Sequence, residues 1–131
     1  MVKLILPVYW VNEKKTKPST THLLGMNWYR NAHYFAQNAA KKMIQELVEL
    51  QLEDAEPIKG QYKMTYTYFY KNKSSDLMNV VSLMSKFTND ALQEYGVVFN
   101  DNVQYCVKEV ALVGEQDVDI PRCEILVEEV K

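Results

Sequence analysis

The stretch "KSSDLMNVVSLMSKFTNDALQEYGVVFNDN", residues 73–102, predicts the longest helix of this chain. Ser74 or Ser75 is the expected N-cap, and Asp76 in the first turn is favoured by the helix dipole. Gly96 is the residue type expected just past the C-terminal end of a helix. The predicted helix therefore begins at Asp76 and ends before Gly96. Its apolar positions follow the helical period of 3.6 residues and are Leu77, Val80, Val81, Met84, Phe87, Ala91 and Leu92.

Strand patterns lie on both sides of this helix. Four segments are rich in β-branched and aromatic residues: "VKLILPV" (2–8), "QYKMTYTYFYKNK" (61–73), "VQYCVKEVALVG" (103–114) and "RCEILVEEV" (122–130). A second helical pattern covers residues 31–50, and residues 12–25 are expected to form an exposed basic loop. The order β-α-β-α-β-β predicts an α+β fold, a single small domain over residues 1–131 with a mixed β-sheet and two main helices.

The composition limits the kind of protein that this chain can be. Of its 131 residues, 47% are hydrophobic and 24% are charged, which is typical of a globular domain. No segment approaches the ~18 apolar residues of a membrane span, so we expect no membrane partner and a cytoplasmic location. Cys106 and Cys123 lie in separate strand patterns without metal-ligand spacing, and we expect them to be buried thiols.

Charge is distributed unevenly along the chain, although the net charge is only −2. Residues 1–73 carry eleven Lys and Arg against six Asp and Glu, whereas residues 74–131 carry four against eleven. This asymmetry fits a basic surface beside an acidic pocket, which a metal-dependent enzyme acting on phosphodiesters needs. The alternative is an ordinary mixed surface with an acidic C-terminal strand.

Three aspartates surround the long predicted helix, and their spacing limits which of them can share a metal ion. Asp76 and Asp90 are about 21 Å apart along the helix axis, so one helix cannot bring them together. The extended residues after the helix could carry Asp101 back towards Asp76 by less than ~20 Å, whereas the helix is roughly 30 Å long. A site made from Asp76 and Asp101 is therefore expected across a two-fold axis. Alternatively, Asp76 only interacts with the helix dipole and residues 100–102 form a turn.

The same region carries a family resemblance. "DLMN" (76–79), "DAL" (90–92) and "VVFNDN" (97–102) resemble the signature of the RusA family of Holliday-junction resolvases, which are usually phage or prophage proteins. "MNWYRNAHY" (26–34) is also similar to the start of that family. The resemblance implies a homodimer in the cytoplasm of a bacterial host that cuts four-way DNA junctions symmetrically with Mg²⁺ or Mn²⁺. We expect its interface to include the helix over residues 76–95, whose apolar residues cover more than one stripe.

The resemblance also implies roles for individual residues. Asp76 corresponds to the first acidic metal ligand of the family and Asp101 to the third, whereas the second falls on Met78. A thioether is soft, and Mg²⁺ takes hard oxygen ligands. Lys86 matches the helix lysine of the family and is the candidate catalytic cation beside the phosphate. The further candidate metal ligands are Asp90, Asn79 and Asn100.

Junction recognition would use cations that contact phosphates and read no bases. The available cations are Lys14, Lys15, Lys17, Arg30, Lys41, Lys42, Lys71 and Lys73. The aromatic residues of the segment 62–70 could stack on opened bases. Alternating aromatic residues in a strand more often belong to a core or to a dimer interface.

Three functions remain open from the sequence. The first is a Mg²⁺-dependent, structure-selective endodeoxyribonuclease that resolves four-way junctions in phage recombination or replication. The second is a catalytically inactive RusA-like protein that binds branched DNA or a protein partner, and Met78 is the feature that keeps this option open. The third is a small homodimeric scaffold with no metal site.

Overall fold

The fold consists of six strands and three helices. The computed structural model describes residues Met1–Lys131. The elements are β1 (Val2–Pro7), β2 (Tyr9–Asn12), β3 (Thr20–Leu23), α1 (Met26–Asn31), α2 (Tyr34–Leu50), β4 (Tyr62–Phe69), α3 (Leu77–Glu94), β5 (Cys106–Val113) and β6 (Arg122–Glu129). The predicted α+β class, with a mixed sheet and two main helices, is confirmed. None of the helices is both long enough and apolar enough to cross a lipid bilayer.

Four strands form one mixed sheet in the order β1-β6-β4-β5. β6 is antiparallel to β1 and to β4, whereas β5 is parallel to β4. Parallel neighbours need a crossover connection, and α3 supplies it because it lies between β4 and β5 in the sequence and packs on both. α2 packs on β1 and on α3. β5 is an edge strand of the sheet, since it pairs only with β4.

One face of the sheet is buried under the helices. In β4 the inward side chains are Tyr62, Met64, Tyr66 and Tyr68, and each alternates with a partly exposed neighbour. The predicted alternation is therefore confirmed, and these aromatic rings form part of the core. Both cysteines are free; Cys123 is buried as expected, whereas Cys106 is only partly buried.

The N-terminal segment differs from the prediction of one long basic loop over residues 12–25. The loop that carries the lysines is limited to residues 13–19, because β2 and β3 pair as an antiparallel hairpin. Trp10 is buried and lies opposite His22 in this hairpin, where it also packs against Trp28 of α1. This aromatic cluster holds the hairpin on the helix layer, and the lysines are confined to its tip.

The helix predicted over residues 31–50 begins three residues later than expected, and a separate short helix, α1, precedes it. The backbone is extended at Ala32 and His33, so the segment predicted as one helix from residue 31 begins at Tyr34. The Nδ1 atom of His33 accepts a hydrogen bond from the backbone N–H of Phe35 at 3.2 Å and so caps α2. A side-chain cap satisfies one of the N–H groups left free at a helix start, which explains why the helix begins there.

The predicted cap of α3 is corrected by one or two residues. Asp76 itself is the N-cap, since its Oδ1 atom accepts from the N–H of Met78 at 3.1 Å. Ser75 does not cap the helix because its hydroxyl bonds that of Tyr68 at 2.8 Å. Aspartate is as strong an N-cap as serine. Gly96 follows the helix with a φ of 74°, as the sequence predicts.

The apolar breadth of α3 is used within the chain. The residues that suggested a dimer interface are all buried against the rest of the domain: Val80, Val81, Leu83, Met84 and Phe87. α1, α2, β4 and β5 together surround this helix. A homodimer therefore stays a prediction, and it would need a different apolar surface.

Candidate functional site

The N-terminal end of α3 exposes one carboxylate beside two cations. Asp76 is exposed, and only its Oδ1 atom is engaged, by the N–H of Met78. Its Oδ2 atom makes no hydrogen bond or ion pair within the chain. Lys71 and Lys73 lie in the loop that leads to Asp76, and both are exposed. A carboxylate oxygen is thus available to a cation, next to lysines available to an anion.

Two cavities lie between α3 and the edge strand β5. The first has a volume of about 350 Å³ and is lined by Tyr68, Tyr70, Lys73, Ser75, Leu77 and Val113. The second has a volume of about 250 Å³, and its lining includes Met78, Ser82, Ser85 and Glu109. Met78 is 54% exposed. The thioether at the position of the expected second ligand therefore lines an open cavity instead of the core.

Asn79 has a structural role that the sequence did not predict. Its Oδ1 atom accepts from the backbone N–H of Asn27 at 2.8 Å, so it caps α1 from a different helix. Gly25 is the N-cap residue of α1 and has no side chain to do so. A Cβ atom at Gly25 would lie 2.3 Å from the amide nitrogen of Asn79, which explains the glycine.

Removing this cap should destabilise the protein. We expect Asn79→Ala to lower the free energy of unfolding by about 1 kcal/mol, because an N–H at the start of α1 loses its acceptor. Asn79→Asp keeps an acceptor oxygen, now of a carboxylate, at the same place and should retain most of the stability. Urea unfolding of both variants measures the difference. Equal stability of wild type and Asn79→Ala would show that the bond contributes nothing.

Asp101 lies at the other end of α3. Four residues after Asp101, the carbonyl of Tyr105 accepts a hydrogen bond from the backbone N–H of Tyr62 at 2.8 Å, so the segment that carries Asp101 lies beside Tyr62. Burial is the main cause of the raised pKa of Tyr62, and the charge of Asp101 contributes to it. The Tyr62 hydroxyl donates to Asn89 Oδ1 at 2.7 Å, and Asn89 is roughly 20 Å along the helix axis from Asp76. One chain therefore does not bring Asp76 and Asp101 together. Asn100 is engaged locally, since its Oδ1 accepts from the N–H of Asn102 at 3.0 Å.

The two other candidates on α3 point to different neighbours. The carboxylate of Asp90 pairs with Lys41 of α2, with 3.1 Å between Oδ2 and Nζ. The Nζ atom of Lys86 lies 6.0 Å from the centre of the Tyr29 ring, on α1. Lys86 is also roughly 15 Å from Asp76 along the helix. Neither residue joins Asp76 within one chain.

The donor set of a single chain does not fit a Mg²⁺ ion held by three acidic ligands. No group of three or more His, Cys, Asp or Glu side chains lies close enough to hold a metal ion. The carboxylates of Asp76 and Asp101 make no ion pair within the chain, but they lie at opposite ends of α3. A metal centre that uses both would need a second protomer.

The candidate DNA-binding cations occupy neighbouring parts of the surface. Lys14, Lys15 and Lys17 are exposed at the tip of the β2–β3 hairpin. The Nζ atom of Lys71 lies 5.7 Å from the centre of the Tyr9 ring at the base of that hairpin. The hairpin and the loop before Asp76 are therefore adjacent. Arg30 is exposed in the last turn of α1, which packs on α3.

A polar network that the sequence did not predict links β4, α3 and β5. Ser85 donates to Glu109 Oε1 at 2.6 Å, and the Nδ2 atom of Asn89 approaches the same oxygen at 3.3 Å. The Tyr66 hydroxyl also donates to this oxygen, and its pKa is raised by burial and by the charge of Glu109. The signal in the sequence was a Ser and an Asn four residues apart on the face of α3 next to its apolar stripe.

Comparison with known proteins does not identify a family for this chain. No protein-family model matches it, and no curated protein matches it. The resemblance to the RusA family therefore stays a prediction based on the motif around Asp76 and Asp101. The function has to be argued from the side chains themselves.

Proposed function

We propose that the protein is a metal-dependent endodeoxyribonuclease that cuts branched DNA, with the four-way junction as its substrate, and that it acts as a homodimer. The observation that carries this proposal is the exposed Asp76 carboxylate with one free oxygen, beside Lys71 and Lys73. The carboxylate can bind a cation, and the exposed lysines can bind phosphate. The motif resemblance supports the choice of junction DNA.

The division of charge at this end of α3 suits phosphodiester hydrolysis. Lysines attract the DNA backbone, and Arg30 and the hairpin tip extend the cationic surface beyond a single phosphate. In the reaction the oxygen of water bonds to phosphorus as the P–O bond to the leaving strand breaks. Mg²⁺ would supply water activation and charge stabilisation. Because a single chain lacks the ligands for it, the proposal requires Asp101 of the partner subunit near Asp76.

A four-way junction is the substrate that tests this proposal. The protein should cut the junction in the presence of Mg²⁺ and leave a linear duplex of the same sequence intact. Loss of cutting on addition of a chelator is part of the expected result. Absence of both binding and cutting would contradict the proposal.

A second candidate function is junction binding without cutting. It is favoured by one observation, that Met78 presents a thioether to the cavity next to Asp76, where the motif would have an acidic side chain. Specific binding of the junction without cutting under Mg²⁺ or Mn²⁺ would support this candidate.

The hairpin tip should supply part of the DNA affinity. Replacing Lys14, Lys15 and Lys17 together by Ala should weaken junction binding and lower the slope of log affinity against log salt by roughly two to three, because each phosphate contact releases counterions. The fold should be unaffected, since this loop is exposed. Fluorescence anisotropy over a range of salt concentrations measures the slope, with Lys59→Ala as a control cation outside the proposed surface. An unchanged slope would place the DNA elsewhere.

A further inference from the structure

Glu109 carries a carboxylate that three hydrogen bonds hold at one of its two oxygens. The hydroxyls of Tyr66 and Ser85 donate to Oε1, the latter at 2.6 Å, and the Nδ2 atom of Asn89 approaches it at 3.3 Å. Tyr66 and Asn89 are buried, and Asn89 is itself fixed by the hydroxyl of Tyr62 at 2.7 Å. Donors from β4 and α3 therefore set the orientation of this carboxylate, whereas its Oε2 atom makes no hydrogen bond within the chain.

The negative charge of Glu109 has no cationic partner in the chain. The three donors are neutral groups, and none of the ion pairs of the chain includes Glu109. Lys86 follows Ser85 on α3, but its Nζ atom lies by the Tyr29 ring, 6.0 Å from its centre. Lys108 precedes Glu109 on β5, and successive side chains of a strand point to opposite faces of the sheet. Because Glu109 is exposed, a cation from outside the chain can reach its free oxygen.

Glu109 also lines the cavity of about 250 Å³ between α3 and β5, together with the hydroxyls of Ser82 and Ser85. Ser85 donates its proton to Glu109 and accepts from Asn89 at 3.3 Å, so one lone pair of its oxygen is left. The Ser82 hydroxyl makes no hydrogen bond within the chain. The apolar wall of the cavity consists of Met78, Val81 and Ala111. No Lys, Arg or His lines the cavity, which therefore combines free acceptors and one negative charge with an apolar wall.

We infer that this cavity binds a primary alkylammonium group, with the ammonium at Glu109 and the alkyl chain on the apolar wall. An ammonium has three N–H donors and no acceptor, which matches the free carboxylate oxygen and the two hydroxyl oxygens. A water molecule occupies ~30 Å³, so the cavity of about 250 Å³ has room for a butyl chain and its ammonium. The inference does not depend on the proposed nuclease function, because Ser85, which holds Glu109, is roughly 14 Å along α3 from Asp76.

Titration with n-butylammonium chloride, followed through the amide resonances of the ¹⁵N-labelled protein, tests this site. The amide signals of Ser82, Ser85 and Ala111 should shift and saturate with a dissociation constant on the order of millimolar, because the ligand is so small. The neutral n-butanol has the same chain without the charge and should not saturate these shifts. Absence of saturable shifts with n-butylammonium, or equal binding of n-butanol, would overturn the inference.

Glu109→Gln should weaken the binding of n-butylammonium at least about tenfold, because a hydrogen bond to a charged group becomes one to a neutral amide. Glutamine keeps an acceptor oxygen for the donors on α3 and β4, so the fold should survive. Glu115→Gln is the matched control, since Glu115 is exposed, has no ion pair and lies outside the cavity, and it should bind as the wild type does. Equal binding by Glu109→Gln and wild type would contradict the assignment.

Ser82→Leu tests the cavity without changing Glu109. Leucine removes one acceptor and fills the space that the alkyl chain would take, so the saturable shifts should be lost in a variant that remains folded. Unchanged binding by folded Ser82→Leu would place the amine outside this cavity. Acetyl-lysine-N-methylamide carries the same ammonium and chain on a peptide backbone. Binding of both probes would assign the site to a lysine side chain of another protein, and binding of n-butylammonium alone would assign it to a free amine.

Discussion

Replacing Asp76 by Asn should reduce Mg²⁺-dependent cutting of a four-way junction by on the order of a thousandfold, because a charged metal ligand is worth several kcal/mol at the transition state. The fold should survive, since Asn is as good an N-cap as Asp and keeps an acceptor for the N–H of Met78. Junction binding should be unchanged or tighter, because a negative charge leaves the path of the phosphates. Cutting rates at saturating protein, with separate binding titrations, measure both effects.

Asp90→Asn is the matched control for this prediction. It makes the same chemical change on the same helix, but the carboxylate of Asp90 already pairs with Lys41. A partly exposed ion pair contributes about 1 kcal/mol or less to stability, so activity and fold should both be close to wild type. Full activity in Asp76→Asn would contradict the metal-site proposal. Loss of activity in Asp90→Asn alone would indicate a site rebuilt around Asp90 of the partner helix.

Phe87→Ala should be the most destabilising of the substitutions considered, with a loss of about 3–5 kcal/mol in the free energy of unfolding. Phe87 is fully buried in α3, and its ring makes a T-shaped contact with that of Tyr29, with 5.8 Å between the centroids. Truncation would leave a cavity between α3 and α1 and remove this aromatic contact. Urea unfolding followed by circular dichroism measures the change.

The neighbouring residue provides the control for Phe87. Lys86 is exposed, so Lys86→Ala should change stability by no more than ~0.5 kcal/mol. Phe87→Leu should fall between the two, because it fills part of the cavity. A loss below about 1 kcal/mol for Phe87→Ala would show that the contact of α1 with α3 does not depend on this side chain.

The main elements could be predicted because each shows a periodicity that one buried face imposes. The apolar residues of α3 recur every three or four positions, and β4 alternates, since each packs on a single layer. The hairpin of β2 and β3 could not be predicted in the same way. Its strands have only four residues each, so an alternation of apolar and polar residues is hard to recognise. The lysines between the strands are typical of an exposed loop, and the apolar Trp10 alone does not indicate a strand.

The local part of the candidate site could also be predicted, but its long-range contacts could not. The sequence predicts Asp76 at the start of α3, and it does lie there, although it replaces the predicted serine cap. The role of Asn79 depends on Asn27, 52 residues away, and that of Asp90 depends on Lys41. Such partners are set by how α1 and α2 pack on α3, and no short sequence pattern encodes that packing.

Subunit complementation tests most directly whether two protomers complete the proposed site. Asp76→Asn and Asp101→Asn are purified separately, shown to be inactive, mixed to allow exchange of protomers, and assayed on a four-way junction with Mg²⁺. A mixed dimer carries both substitutions in one shared site and neither in the other. Mixing should therefore restore cutting. If the mixture stays inactive while exchange and junction binding are demonstrated, Asp76 and Asp101 do not form a site between protomers.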